Sequence, residues 1–272
     1  MRLLLVGILL GSLLMLPELI QQRNQLLHES AVQSQQRTTA RASENEDSEV
    51  SDNQSGSVLV SGSQSPLTEK MVQQAVGRRS ESESGYISIW NWQGLENVTA
   101  SARGLDSLHH FANSYLVGFQ PFATNELWIP LYTLAIRKEY QYDHLQYAGL
   151  ADIWQTSRQA YYQKRGDCED HAILLADWLI NLGVDARVAL GTHKGEGHAW
   201  VVAIVNNTEY LLEATSKRRQ PSWQAMPLAA LAEGYEVEFQ FNRDYFWAKT
   251  TSAATRSYRG NHWIRKSQFV RS

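Results

Sequence analysis

The sequence predicts an α+β domain in which helices come first along the chain and an antiparallel sheet follows. One long helix is expected at residues 168–182, because the run from Ala172 to Leu182 is apolar on nearly every side and Gly183 ends it. Four strand-like segments come after this helix, namely "ARVALG", "HAWVVAIV", "EYLLEA" and "YEVEFQF". The turn residues "NNT" at 206–208 separate the second segment from the third, so these two are expected to form a hairpin.

The aromatic residues set the predicted domain boundary. The chain has 272 residues with 9 Trp, 12 Tyr and 7 Phe, and none of these precedes Tyr86. Residues 86–272 are therefore predicted to form the folded domain. Residues 23–85 are rich in Ser, Gln, Glu and Arg, a composition that buries too little apolar surface to fold, so a disordered polar tether is predicted there.

Residues 1–22 are predicted to be an N-terminal signal or membrane anchor, because Arg2 precedes an uncharged apolar stretch from Leu3 to Leu16. No small residues suited to cleavage follow soon after, which favours an anchor that stays attached. Arg2 favours a cytoplasmic N-terminus, so the domain is expected on the outer, periplasmic side of the inner membrane, anchored or secreted. The net charge of −3 gives no basic footprint, which excludes nucleic acid as a partner.

Three helices and a strand are expected between the tether and residue 168. "YISIWNW" alternates and predicts the strand, and the apolar spacing in "LDSLHHFANSYLVGF" predicts a helix at 105–119. A second helix is predicted at 124–140, with Thr124 or Asn125 as its cap. A third, within "TSRQAYYQKRG", is expected to begin at a Thr156 cap.

Cys168 is the only cysteine, so an internal disulfide and a multi-cysteine zinc site are both excluded. It lies at the start of the predicted 168–182 helix, where unpaired N–H groups and the helix dipole favour a thiolate. The flanking Asp167 and Glu169 oppose a second negative charge, and Asp167 serves equally well as a helix cap. A reactive nucleophile and a buried structural thiol both fit this position.

His198 is the histidine, among eight in the chain, that is expected to serve this thiol. It begins the strand "HAWVVAIV" beside a glycine-rich turn, which would hold it rigidly at a sheet edge near the start of the cysteine helix. Glu213 ends the partner strand of the predicted hairpin, so it is expected near His198 as the acid that orients the imidazole. The alternative for Glu213 is an ion pair with Lys217, Arg218 or Arg219.

Three segments, "WQTSRQAYYQKRGDCEDHAILLADWLINLGVDARVAL", "GHAWVV" and "YLLEAT", together resemble the transglutaminase-like superfamily, and more narrowly the bacterial transglutaminase-like cysteine proteinases. The resemblance covers about residues 125–250. It implies a papain-like fold in which the cysteine helix packs on an antiparallel sheet. It also implies that Cys168 is the nucleophile, His198 the general base and Glu213 the orienting acid, although the family's usual third residue is aspartate.

The same resemblance implies further site residues. Some proteinase relatives bind calcium through acids that flank the cysteine, which points to Asp167 and Glu169, and oxygen ligands suit this ion. Trp154 and Gln155 precede the cysteine helix and are candidates for lining the cleft or donating to an oxyanion. Trp154 fits the core of the domain equally well. No cofactor other than calcium is expected.

The reaction that follows is attack of the Cys168 sulfur on an amide carbonyl of a protein or peptide, giving a thioester. Water as the second nucleophile makes a protease or amidase, and a lysine amine makes a cross-linking enzyme. The proteinase resemblance favours hydrolysis, and a membrane tether would bring the domain to an envelope protein. The alternative is a non-catalytic, membrane-tethered module that binds peptides.

Overall fold

The computed structural model describes residues 53–218, 226–250 and 256–272. It is a mixed structure of helices and a large antiparallel sheet, which confirms the predicted fold class. The predicted anchor at residues 1–22 and the predicted tether up to residue 52 lie outside the described residues. Within the described ranges, we find no helix with the length and apolar character needed to cross a membrane.

Fourteen strands occur in the described part of the chain. They are β1 (Gly56–Val60), β2 (Leu67–Thr68), β3 (Ser88–Trp92), β4 (Leu95–Gly104), β5 (His109–Phe111), β6 (Glu139–Tyr140), β7 (Ile153–Trp154), β8 (Arg165–Gly166), β9 (Asp185–His193), β10 (Glu196–Val205), β11 (Thr208–Leu212), β12 (Tyr235–Phe241), β13 (Tyr245–Lys249) and β14 (Trp263–Arg271). The large sheet has the order β11-β10-β9-β12-β13-β14-β1-β2. A second sheet joins β3, β4, β5 and β7, and β6 pairs with β8.

Six α-helices accompany these strands in the same part of the chain. They are α1 (Glu69–Val76), α2 (Glu81–Ser84), α3 (Ile129–Arg137), α4 (Asp143–Gln146), α5 (Ser157–Tyr162) and α6 (Cys168–Asn181). Helix α6 confirms the helix predicted at 168–182. Thr156 caps α5 in a capping box with Gln159, as the sequence predicts.

Helix α6 lies at the centre of the domain and packs on β9 and β10. Its side chains are buried on nearly every side, including those of Ile173, Leu174 and Trp178. Helices α3 and α5 cover the faces that the sheet leaves open. A helix that is apolar all round requires such cover, and the packing holds its first residue, Cys168, against the sheet.

Strands β10 and β11 form the predicted hairpin. Asn206 and Asn207 make its two-residue turn with φ values of 49° and 63°, a left-handed conformation that asparagine tolerates. The register that the turn fixes places Val201 opposite Leu212, the last residue of β11. Glu213 follows directly, so it lies near the beginning of β10.

The predicted tether is wrong for residues 53–85, and the folded domain begins before Tyr86. Strand β1 pairs with β14, the last strand of the sheet, and α1 packs against β5. Five apolar side chains of this segment are buried, namely Val58, Val60, Leu67, Val72 and Val76. The overall composition did not reveal them, because they lie in short apolar groups, "VLV" in β1 and "MV" and "AV" in α1, within a segment that is mostly polar.

A chain that begins at residue 86 is expected not to fold stably, whereas one that begins at residue 53 is expected to fold. Burying an aliphatic side chain is worth ~1.5–3 kcal/mol, so these five residues contribute roughly 8–15 kcal/mol. That equals the whole stability of an ordinary domain, ~5–15 kcal/mol. Urea unfolding followed by circular dichroism checks this, and equal midpoints for the two chains would contradict it.

The helices predicted at 105–119 and 124–140 are also corrected. Residues 105–119 are not a helix, because β5 and a 3₁₀ turn at Ala112–Tyr115 occupy them. Pairing of β5 with β4 overrides the helical spacing of the apolar residues. The helix predicted at 124–140 begins later and ends earlier, at Ile129–Arg137, and its N-cap is Trp128 rather than Thr124 or Asn125. Pro130 lies in its first turn, where proline is favoured.

Candidate active site

Cys168 is the first residue of α6 and lines a cleft of about 740 Å³. Its side chain is half-buried. Asp167 holds the N-cap position, as the sequence predicts, but its carboxylate makes no capping hydrogen bond. The thiol therefore lies at the unpaired N–H groups of a helix start, with an acid on each side.

Strand β10 brings His198 into the same cleft. The backbone N–H of Ala199, the next residue, lies near enough to the Cys168 sulfur to lower the pKa of the thiol, against the larger effect of burial. Gly191 lies opposite His198 on β9, and a Cβ at Gly191 would lie 2.0 Å from the carbonyl oxygen of Glu236. The glycine thus allows β12 to approach β9 closely beside His198. The imidazole of His198 and the thiol of Cys168 both line the same cleft.

His198 and Glu213 form a hydrogen-bonded pair. The distance between His198 Nε2 and Glu213 Oε2 is 2.8 Å, and both side chains are mostly buried. A carboxylate only accepts hydrogen bonds, so Nε2 carries the hydrogen. Nδ1 is then the basic nitrogen of the ring, which is the protonation state that a general base requires.

Three hydrogen bonds from two other residues hold the Glu213 carboxylate in place. The Tyr235 hydroxyl donates at 2.9 Å, and the backbone N–H and hydroxyl of Thr215 donate at 3.1 and 2.7 Å. Burial opposes the charged form of Glu213, but the hydrogen bonds from His198 and Thr215 outweigh it and lower its pKa to about 2. The carboxylate is therefore charged throughout the physiological pH range.

The alternative ion pairs of Glu213 do not form in the described chain. Lys217 donates to the carbonyl oxygen of Lys138 at 2.6 Å. No ion pair joins Glu213 to Lys217 or Arg218 within the described ranges, where its partner is His198. Arg219 lies outside those ranges.

Replacing Glu213 with glutamine is expected to lower kcat by roughly 10²–10⁴-fold. The amide can donate to Nε2, which favours the tautomer with its hydrogen on Nδ1 and removes the basic nitrogen. Steady-state kinetics check this, with Glu196→Gln, an exposed acid of β10, as the matched control. A kcat equal to that of the wild type would show that Glu213 does not orient the base.

The environment of Cys168 opposes a free thiolate. Burial raises the pKa of Cys168 to about 12, and the charge of Asp167 adds to the rise. The Sγ–H group donates to Glu169 Oε2 at 3.4 Å. The thiol alone is thus protonated at neutral pH, so nucleophilic chemistry requires a proton acceptor beside it. Glu169 accepts the hydrogen bond of the thiol, and His198 lines the same cleft as a second candidate acceptor.

Trp154 lines the cleft, whereas Gln155 does not. The indole N–H of Trp154 donates to Asp152 Oδ1 at 2.7 Å. The side-chain amide of Gln155 donates to the Tyr147 hydroxyl at 2.9 Å and to the Arg165 carbonyl at 3.1 Å. The N–H groups of both side chains are engaged in these hydrogen bonds, so neither side chain has an N–H group left for an oxyanion. Trp154 lies both in the cleft wall and in the hydrophobic core.

Four carboxyl groups converge beside the cysteine. Asp143, Asp167, Glu169 and Asp170 each offer one oxygen, and these oxygens all lie within 4.8 Å of one another. The sequence pointed to Asp167 and Glu169, but not to Asp143 and Asp170. Gly166 permits the approach, because a Cβ there would lie 2.5 Å from Asp170 Oδ2.

The four carboxyl groups offer more hydrogen-bond acceptors than the described residues around them supply donors. One oxygen in each of its four carboxyl groups is buried without a hydrogen-bond partner in the described chain. Burial, reinforced by the charge of Asp167, raises the pKa of Asp143 to about 8 and the pKa of Glu169 and Asp170 well above their usual range. Burial and mutual repulsion thus oppose the charged form of these carboxyl groups, and the charge of Lys138 offsets this only in part.

The donor set fits a calcium ion. Calcium takes about 6–8 oxygen ligands at roughly 2.3–2.6 Å, and carboxylates are its usual protein ligands. Lys138, whose charge acts on Asp170, donates to two backbone carbonyl oxygens rather than to a carboxylate. The unpaired oxygens of the cluster are therefore left for a cation.

Tyr140 is a cleft residue to which the sequence did not point. It lies in β6 opposite Gly166, which places the ring beside the cysteine motif. Burial, followed by the charge of Cys168, raises the pKa of Tyr140 above its usual range. The hydroxyl thus keeps its hydrogen and is a donor near the sulfur. A two-residue strand carries no sequence pattern that would reveal it.

Part of the chain is similar to known proteins. A family model described as the CEP76 peptidase-like domain matches residues 152–259, less than half of the chain. Human protein CC2D2B is 42% identical over 62 residues, which are 23% of this chain and 4% of that protein. Mouse centrosomal protein of 76 kDa is 44% identical over 55 residues, which are 20% of this chain and 8% of that protein.

The chain thus spans less than a tenth of these relatives' own length. Among solved structures, calcium-bound LapG of Legionella pneumophila aligns with a TM-score of 0.37 at 16% identity, over 55% of this chain and 81% of that chain. The matched range 152–259 contains Cys168, His198 and Glu213. The segment that carries the candidate active site is therefore similar to a peptidase-like domain.

Proposed function

We propose that the protein is a cysteine-dependent amide hydrolase that acts on proteins or peptides, with Cys168 as nucleophile, His198 as general base and Glu213 as orienting acid. One observation carries the proposal: the 2.8 Å pair of His198 and Glu213 opens onto the cleft that Cys168 lines. The match of residues 152–259 to a peptidase-like domain supports the same chemistry.

In the first half-reaction, His198 Nδ1 takes the thiol proton as the Cys168 sulfur attacks the amide carbonyl carbon. A C–S bond forms and the carbonyl π electrons move to oxygen, which gives a tetrahedral oxyanion. Glu213 remains charged and stabilises the imidazolium through Nε2. The intermediate then collapses, the C–N bond breaks, and the imidazolium gives its proton to the leaving amine.

In the second half-reaction, water attacks the thioester while His198 Nδ1 takes a proton from it. The new tetrahedral intermediate expels the Cys168 sulfur, which recovers its proton from His198, and a carboxylic acid leaves. Tyr140 and the first-turn N–H groups of α6 are the donors that we assign to the oxyanion in both steps.

We further infer that Asp143, Asp167, Glu169 and Asp170 bind calcium, because their unpaired oxygens converge next to the nucleophile. A bound calcium ion supplies positive charge that offsets the acids flanking Cys168. With those acids neutralised, the main remaining obstacle to proton transfer from Cys168 to His198 is burial.

The setting of the reaction is also a proposal. The apolar N-terminal sequence supports a membrane-anchored or secreted protein, with the domain on the periplasmic side and an envelope protein as substrate. Comparison of envelope proteins with and without this protein, by size, would identify such a substrate.

The test of the proposed function is digestion of a synthetic peptide library in H₂¹⁸O with calcium present. Hydrolysis is expected to place ¹⁸O in each new C-terminal carboxylate. Peptides joined through lysine, without ¹⁸O, would instead indicate acyl transfer. Peptides that are retained by the protein but not altered would indicate the non-catalytic binding module.

A further inference from the structure

A second cavity of about 390 Å³ adjoins the cleft. Its wall shares Tyr86, Gly149 and Ala151 with the wall of the cleft that holds Cys168. At ~30 Å³ per water molecule, the second cavity has room for roughly a dozen waters, which is more than one amino-acid side chain needs. A peptide lying in the cleft can therefore place one side chain in the second cavity.

Arg103 supplies the charge of this second cavity. It lies in β4 between two strands, paired with His109 of β5 and with Ile153 of β7, so its backbone is fixed. Within the described ranges, its guanidinium makes no hydrogen bond or ion pair to another side chain. A half-buried arginine thus brings guanidinium N–H donors, without a hydrogen-bond partner among the described residues, to the wall of this cavity.

The two adjoining cavities differ in the charged side chains that line them. Five acidic residues line the cleft, and no lysine or arginine does so among the described residues; the acids are Asp143, Asp152, Asp167, Glu169 and Glu238. Arg103 is the single lysine or arginine in the described walls of either cavity. An acidic side chain of a bound peptide therefore meets no lysine or arginine in the described wall of the cleft, whereas the second cavity offers it the guanidinium of Arg103.

We propose that the Arg103 cavity is a specificity subsite that receives an Asp or Glu side chain of the peptide substrate. A carboxylate matches the planar fork of the guanidinium and accepts two parallel hydrogen bonds from it. Because this cavity does not include Cys168, the acidic residue lies at a fixed position away from the cleaved bond. This inference rests on the proposed hydrolase function for its biological meaning.

The test compares wild type, Arg103→Ala and Arg103→Glu on a random peptide library with calcium present, and reads cleavage sites by mass spectrometry. Wild type is expected to enrich Asp and Glu roughly 10-fold or more at one fixed position. Arg103→Ala is expected to lose the enrichment, and Arg103→Glu to replace it with Lys and Arg. Arg265→Ala, which removes an arginine outside both cavities, is the matched control.

A second readout separates this inference from the proposed function. The same library is passed over immobilised Cys168→Ala protein, with and without Arg103→Glu, and the bound peptides are sequenced. Acidic enrichment that Arg103→Glu abolishes supports the subsite even if no variant cleaves, in which case only the hydrolase proposal fails. Cleavage or binding without an acidic preference, or a preference that survives Arg103→Glu, would overturn the subsite alone.

Discussion

Replacing Cys168 with alanine is expected to lower peptide hydrolysis by at least ~10³-fold, because no thioester can form without the sulfur. The fold is expected to survive. The thiol is half-buried, and the loss of one sulfur atom costs on the order of 1 kcal/mol, well below the stability of a domain of this size. The measurement is kcat/KM on a peptide cleaved by the wild type, together with the urea midpoint.

Cys168→Ser is the matched control for this substitution. It keeps the volume of the side chain and supplies a weaker nucleophile, so it should fold like the wild type and hydrolyse far more slowly. If Cys168→Ala keeps wild-type turnover, Cys168 is not the nucleophile. If both variants lose their fold, the thiol is a structural residue and the loss of turnover says nothing for catalysis.

Removing calcium is expected to lower the thermal midpoint by roughly 5–15 °C. Binding to the native state alone contributes ~2.7–4.1 kcal/mol when calcium is 100–1,000 times its Kd, and ~1 kcal/mol moves the midpoint of a domain this size by about 2–4 °C. Hydrolysis is expected to fall in parallel. Scanning calorimetry with EGTA, and again after added calcium, checks both the loss and its reversal.

The pH dependence of this effect follows from the raised pKa values. A carboxyl whose pKa is raised in the folded state destabilises the fold once it ionises. Metal-free protein should therefore lose stability as pH rises from about 4 to about 8, through the pKa of Asp143. Calcium stabilisation should grow over the same range, because its ligands must be deprotonated. Asp143→Asn should blunt both trends, and Glu238→Gln, a cleft acid outside the cluster, should not.

The central helix and its hairpin could be predicted because their signals are local. An all-round apolar run requires burial, and "NNT" between two apolar strands specifies a tight turn, so Cys168 and the strand ends that carry His198 and Glu213 followed from position alone. Strand β1 could not be predicted in this way. Its partner, β14, lies at the other end of the chain, and nothing local to Val58 and Val60 signals that pairing.

The sequence pointed to only some of the residues that surround Cys168. Asp167 and Glu169 adjoin Cys168 and were found, but Asp143 comes from another helix and depends on tertiary packing to reach them. Tyr140 is brought to the cleft by a two-residue pairing with β8. Their position before the cysteine helix made Trp154 and Gln155 candidates for lining the cleft or donating to an oxyanion. Trp154 does line the cleft, but the hydrogen bonds that engage both N–H groups appear only in the folded structure.

The most direct test of Cys168 as an activated nucleophile is the rate at which iodoacetamide alkylates this single cysteine in the calcium-loaded protein at pH 6. Because His198 takes the proton of Cys168, the expected rate is at least ~10-fold above that of a free thiol, and it is expected to fall below the free thiol in His198→Ala. A wild-type rate no higher than that of a free thiol, and unchanged in His198→Ala, would show that His198 does not activate Cys168.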